Sequence, residues 1–117
     1  MLVLGGSFGG LSALHVLSGS DDVEVTLIDF KEFFEYTPGA LRCYVDPGEL
    51  RALTCPLPQG HGNTLLVAEV VGVDATAVTL RDRAGAETRE EYDYLVVALG
   101  STYMRPIKPS AEEVTFE

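Results

Sequence analysis

Residues 1–10 read Met1-Leu2-Val3-Leu4-Gly5-Gly6-Ser7-Phe8-Gly9-Gly10, an apolar run that passes directly into a glycine-rich turn. Leu2 to Leu4 is long enough for a short buried strand. Beyond the turn, Leu11, Leu14 and Leu17, with Ala13 and Val16 beside them, recur at helical spacing. Gly19 stands where a left-handed residue would cap that helix, and Ser20-Asp21-Asp22 makes a turn. Val23 to Asp29 is β-branched and apolar, a second strand. Strand, turn, helix and strand together form a βαβ unit, for which a right-handed crossover and parallel strands are expected.

The turn resembles the G-x-G-x-x-G pattern, with Gly5 and Gly10 in place and Ser7 where the middle glycine would stand. In that pattern the first glycine makes the tight turn. The second admits a pyrophosphate to the backbone, and the third lets helix and strand pack closely. Ser7 adds a Cβ and a hydroxyl at the approach point, and the hydroxyl can donate to a phosphate oxygen. Asp29 follows Gly10 by nineteen residues, at the end of the second strand, where a carboxylate accepts from ribose hydroxyls. A helix N-terminus offers an exposed anion only about 0.3–1 kcal/mol, and ~2 when partly buried. The turn therefore orients a diphosphate more than it supplies affinity, which has to come from burying ring systems.

Outward from this unit the rhythm changes. Phe30 to Gly62 is broken by Pro38, Pro47, Pro56 and Pro58, leaving room for short helical turns around Gly39–Tyr44 and Pro47–Leu53. Thr64–Val73, Ala77–Arg81 and Glu87–Tyr92 read as three strands, with Asp82-Arg83-Ala84-Gly85 as a hairpin turn. Tyr94–Leu99 is almost wholly apolar, as a buried strand of a parallel sheet would be. After Gly100 the chain reads as loop, to an acidic end.

Composition narrows the function classes. The 117 residues are 46% hydrophobic and 22% charged, the composition of a folded domain. A net charge of −10 argues against nucleic acid, whose phosphates need clustered Lys and Arg, and gives no attraction to an anionic membrane. Cys43 and Cys55 lie twelve positions apart, neither a CxxC pair nor a zinc spacing, so two reduced thiols and a cytoplasmic setting are expected. No apolar stretch reaches the ~20 residues of a membrane span. His15 and His61 have no partner pattern, and neither a metal site nor a catalytic residue is assigned.

Four further stretches make the pattern specific. Leu27-Ile28-Asp29-Phe30-Lys31-Glu32, Tyr36-Thr37-Pro38-Gly39-Ala40-Leu41-Arg42 and Tyr92 to Ser101, together with Glu69 to Asp74 and the glycine turn, resemble the pyridine-nucleotide–flavin oxidoreductases. The branch resembled is that of the apoptosis-inducing-factor-like and ferroptosis-suppressor quinone reductases, related to type II NADH dehydrogenases. The resemblance implies an α/β, Rossmann-like FAD-binding domain with a parallel sheet. A three-stranded antiparallel β-meander takes the place of the second crossover helix. It implies FAD as cofactor, with NAD(P)H and a quinone or similar small acceptor as partners. Gly5, Gly6, Ser7, Phe8, Gly9 and Gly10 would wrap the pyrophosphate, and Asp29 would hold the ribose. Lys31 lies beside that carboxylate and Arg42 matches a cofactor-contacting arginine, while Val70 matches a residue whose backbone meets the adenine. Ala98 and Gly100 stand in the turn beside the flavin phosphates, with Leu99 where the family has threonine. Phe34 and Tyr36 would line the flavin region.

No second strand–glycine-turn–helix follows, and no later aspartate-bearing segment of the kind that closes an FAD site. Residues 1–117 are thus expected to be the N-terminal part of the FAD/NAD(P)-binding unit, without the NAD(P)H domain or the C-terminal segments. Two other classes remain open: a non-catalytic dinucleotide-binding module, and the NAD-binding Rossmann domain of a dehydrogenase. The meander and Ala98-Leu99-Gly100 argue against the latter. The oligomeric state, and the choice between NADH and NADPH, are left open.

Overall fold

The computed structural model describes residues 1–20, 22–60 and 62–101. The expectations for Asp21, for His61 and for the chain beyond Ser101 lie outside those residues.

Strand β1 (Leu2–Leu4) is followed by helix α1 (Phe8–Leu17) and β2 (Val25–Asp29). β1 and β2 run parallel, with Leu2, Val3 and Leu4 opposite Thr26, Leu27 and Ile28. Alternation sends the side chains to two faces. Leu2, Leu4 and Ile28 form one core with Val78 and Leu80, while Val3, Val25 and Leu27 form another with Leu14 and Leu57. The left-handed cap expected at Gly19 is not formed. Ser18 ends α1 in right-handed conformation (φ −66°, ψ −9°), and the Ser20 amide donates to the Leu17 carbonyl at 3.1 Å. That three-residue closure satisfies the helix end without a positive φ.

The proline-rich middle contains a small sheet that the sequence pattern does not announce. β3 (Phe33–Glu35) precedes 3-10 turns at Thr37–Tyr44 and Pro47–Glu49 and the single-turn helix α2 (Leu50–Leu53). The chain then returns as β4 (Thr54–Pro56), antiparallel to β3. The two helical stretches fall where expected.

Thr64–Val73, read as one strand, is two. β5 (Asn63–Val67) runs parallel to β2, and after Ala68 the chain changes partner to become β6 (Glu69–Val73). β6 pairs antiparallel with β7 (Ala77–Arg81), across a bulge between Val70 and Gly72, and β7 with β8 (Glu87–Glu91). The β7–β8 turn is held by Asp82, whose Oδ1 accepts from the amides of Ala84 and Ala86, both at 2.8 Å. Gly85 supplies the positive φ, 86°. β9 (Leu95–Val97) then lies parallel to β1, and the four-stranded sheet has the order β5-β2-β1-β9. This is the expected α/β architecture: a parallel sheet with a helix on one face and a three-stranded meander on the other. Among the described residues, no helix is long and apolar enough to cross a membrane.

Candidate functional site

The chain moves to one side of β1 through α1 to β2, and reaches the other side at β9. β1 and β9 therefore flank the switch point of the sheet, where open α/β folds place ligands at the carboxyl ends of their strands. The turns after both strands meet there. The Ala98 amide donates to the Leu4 carbonyl at 2.8 Å. Gly5 has φ 102°, and any Cβ on it would run into the Ala98 carbonyl oxygen. Gly10 is fixed by the same closeness, because a Cβ there would overlap the Gly5 carbonyl oxygen. Gly9 is freer, with only an ordinary contact of 3.5 Å to the Ala98 Cβ. Gly100, in the turn after β9, has φ 72°.

The amides of the glycine turn divide into two sets. Gly5 donates to the Ile28 carbonyl at 2.8 Å and Gly6 to Asp29 Oδ2 at 2.6 Å, so both are used inside the protein. Leu11 donates to the Ser7 carbonyl at 2.9 Å. Among the described residues, the amides of Ser7, Phe8, Gly9 and Gly10 have no protein acceptor. These are the orphan donors of the first turn of α1. Ser7 is extended (φ −100°, ψ −163°), a conformation any residue adopts, so its replacement of glycine brings no strain. Its hydroxyl makes no capping bond and the residue is exposed.

Asp29 ends β2 beside this turn. Oδ2 takes the Gly6 amide and Oδ1 the Lys31 amide at 2.8 Å, one donor on each oxygen. The Lys31 ammonium goes elsewhere, to Glu35 Oε2 at 3.1 Å, with its charge 5.2 Å from the Phe33 ring centre. Phe8 stacks edge-on against Phe34 (5.2 Å between ring centres) and against Tyr36 (5.9 Å), tying the turn to β3. Next to Asp29, whose carbonyl accepts from the Ala68 amide at 2.9 Å, opens a cleft of about 450 Å³. Phe30, Val67, Ala68, Glu69, Arg81 and Arg83 line it. A second cavity, about 270 Å³ and apolar, lies under the 3-10 segment and shares Tyr36 with the aromatic cluster.

The structure thus gathers the glycine turn, Asp29, the Lys31 amide, Ala98 and Gly100 at one edge. Arg42 is not held there: its side chain is 72% exposed and 3.9 Å from Glu49. The Val70 side chain packs on the meander-side core, and its neighbour Glu69 lines the cleft. Phe30, Ala68, Arg81 and Arg83 were not singled out from the sequence. The position of Phe30 directly after Asp29 is the signal that could have found it.

A diphosphate and a vicinal diol fit what is present. Four unpartnered amides sit at a helix start, and the free acceptor sites of a carboxylate stand beside them. Across its whole length, residues 1–117, the sequence matches the pattern of the pyridine nucleotide-disulphide oxidoreductases. The chain belongs to this family. Pyridine nucleotide-disulphide oxidoreductases of this kind are FAD-dependent flavoproteins, as the sequence resemblance implies. The apoptosis-inducing factor homolog B of Dictyostelium discoideum is 28% identical over 114 residues, covering 97% of this chain and 28% of that protein. Homolog A of the same organism is 28% identical and is covered over 27% of its length. The chain therefore spans little more than a quarter of either relative. Among solved structures, the sulfide:quinone oxidoreductase of Aquifex aeolicus matches with a TM-score of 0.76 at 26% identity, over 88% of this chain and 24% of that one. The NDH2 of Plasmodium falciparum in complex with NADH matches with a TM-score of 0.74 at 22% identity, over 88% of this chain and 22% of that one. The last likeness is one of fold.

Proposed function

We propose that this chain holds FAD along the carboxyl ends of β1, β2 and β9. In this reading it is the FAD-binding portion of an NAD(P)H-dependent oxidoreductase that passes electrons to a quinone or similar small acceptor. The observation that carries the reading is the juxtaposition of four unpartnered amides, Ser7 to Gly10, with the half-used carboxylate of Asp29. Ser7, Phe8, Gly9 and Gly10 take the diphosphate, and Gly5 and Gly6 shape the turn beneath them. Asp29 takes the adenosine ribose. The cleft beside Phe30, Ala68 and Glu69 takes the adenine, with the Val70 backbone at its end; its volume falls within the ~300–1,000 Å³ of small-molecule sites. Ala98 and Gly100 bring the turn after β9 against the phosphates. Arg42 turns from Glu49 towards the cofactor, and Lys31 acts through its amide. Phe34 and Tyr36 border the flavin.

FAD, when bound, supplies the hydride-accepting and electron-donating chemistry, while the protein binds and orients it. The donor and acceptor are drawn from the relatives, one described as bound to NADH and one as a sulfide:quinone oxidoreductase. The NAD(P)H site is not assigned to residues of this chain. A cytoplasmic setting belongs to the same proposal and rests on the twelve-residue spacing of Cys43 and Cys55 in the sequence.

Titration of the purified chain with FAD, followed by flavin fluorescence and the visible spectrum, tests the reading. Saturable uptake is expected, weakened on the order of tenfold or more in Asp29→Ala by loss of charged hydrogen bonds. Uptake of NAD without FAD would overturn it.

A further inference from the structure

The Gly6–Asp29 bond is backed by a residue that belongs to neither β1 nor β2. Leu57 follows β4, and its amide donates at 2.9 Å to the carbonyl of Glu32, just past Asp29. Its side chain is 5% exposed and packs with Val3, Leu14, Val25 and Leu27. A Cβ placed on Gly6 would lie 2.7 and 2.9 Å from the two Leu57 methyl carbons, and 3.2 Å from Asp29 Oδ2. Gly6 is thus walled in by Leu57 and by the carboxylate that accepts its amide. Glycine has no side chain to restrict its own φ and ψ, so the direction of its N–H depends on such neighbours.

We propose that Leu57 is a positioning residue for the Asp29 carboxylate. By confining Gly6 it keeps the amide on Oδ2, while the Lys31 amide holds Oδ1. A carboxylate has about four acceptor sites, and two amides leave one free on each oxygen. That arrangement suits a vicinal pair of hydroxyls. Shortening Leu57 opens space beside Gly6, its amide swings, and the carboxylate turns with it. The loss falls selectively on the sugar hydroxyls, because the amides of Ser7 to Gly10 do not depend on Leu57. The inference rests on reading Asp29 as the ribose acceptor.

Calorimetric titration of the full 117-residue chain with ADP and with 2′-deoxy-ADP separates the two ideas. The wild type is expected to prefer ADP on the order of tenfold, the weight of one charged hydrogen bond. In Leu57→Ala the ratio should fall to about one, with 2′-deoxy-ADP bound nearly as before, and Leu57→Met should restore it by refilling the space. Equal weakening of both nucleotides by Leu57→Ala would mean a general loosening and would overturn the positioning role. No preference in the wild type would remove the ribose reading itself, and this inference with it. Leu57→Val, which removes less volume, gives the same ratio test should the alanine variant not fold. The Gly6 amide proton resonance, moved downfield by its carboxylate partner, should shift upfield in either variant; an unmoved resonance would also sink the proposal.

Discussion

The amide of Gly6 and the carboxylate of Asp29, 23 residues apart in sequence, are joined by a 2.6 Å hydrogen bond. It ties the turn after β1 to the end of β2 before any ligand arrives. The chain carries a net charge of −10, and the ammonium of Lys31, two residues beyond Asp29, is taken by Glu35. Among the described residues, the Asp29 carboxylate is therefore held by backbone donors rather than by a cation. Aligned amides can hold a diphosphate within an acidic protein, whose overall field repels one.

That bond makes a prediction about the cofactor-free protein. Asp29→Asn leaves one acceptor oxygen for two backbone donors, so either Gly6 or Lys31 loses its partner in a half-buried place. An unsatisfied buried donor costs about 1–3 kcal/mol. Urea unfolding should show a lower midpoint at an unchanged slope, and an unaltered midpoint would mean that the two bonds are not made in solution.

Gly9 and Gly10 are adjacent in α1, and alanine should act on them with opposite sign. Alanine gains up to about 1 kcal/mol over glycine in a helix interior, less in the first turn. At Gly9 the new methyl meets only the Ala98 Cβ, at 3.5 Å, so Gly9→Ala should be neutral or slightly stabilising. At Gly10 it meets the Gly5 carbonyl oxygen, which is backbone and cannot step aside. Overpacking of this kind costs roughly 1–3 kcal/mol, so the clash outweighs the helix gain and Gly10→Ala should unfold at a lower temperature than wild type. Equal melting temperatures for the two variants would refute the close packing of α1 on β1.

The βαβ unit and the meander were legible because each carries its own period or turn chemistry. By contrast β9, expected to be buried from its apolar run, lies at the sheet edge with Val97 64% exposed. Leu2–Leu4 and Ala77–Arg81 are strands over the residues expected, and Asp82–Gly85 forms the turn its composition announces. What was not legible depends on partners far away in sequence. Thr64–Val73 is continuously strand-like, and only the docking of Asn63–Val67 on β2 divides it. β3 and β4 are three residues each, too short for a period of two to appear. The same holds for the site. Gly5, Gly10 and Asp29 are visible as a spaced pattern, whereas Leu57 reads as one more apolar residue among prolines until the fold seats it on Gly6.

Arg42 separates binding from stability. Its 3.9 Å contact with Glu49 joins two exposed side chains, and exposed pairs contribute about 0–1 kcal/mol. Arg42→Ala should therefore leave the urea midpoint nearly unchanged. If Arg42 turns to the cofactor as proposed, the same variant should weaken FAD several-fold, and more so at low salt, where charge attraction is least screened. Unchanged FAD affinity at low salt would remove Arg42 from the site.

Asp74 gives the meander a pH dependence whose sign follows from its partners. Its Oδ1 accepts from the Thr76 amide at 2.9 Å, the Thr76 hydroxyl at 3.1 Å and the Ala77 amide at 3.0 Å. Its Oδ2 lies 2.7 Å from Arg89, and the Tyr92 hydroxyl donates to its carbonyl at 2.6 Å. The Thr76 amide foremost, then the Thr76 hydroxyl, the Ala77 amide and Arg89, hold the carboxyl below its ordinary value of 3.8. A carboxyl depressed by folding stabilises the native state above its unfolded value, and that contribution disappears as pH falls through the folded one. Asp74→Asn keeps an acceptor for the turn but removes the titrating charge. Melting temperatures measured from about pH 7 down to about pH 3 should therefore fall less steeply for the variant at the acid end, with the wild type more stable at neutral pH. Parallel curves would show that the depressed carboxyl is not Asp74.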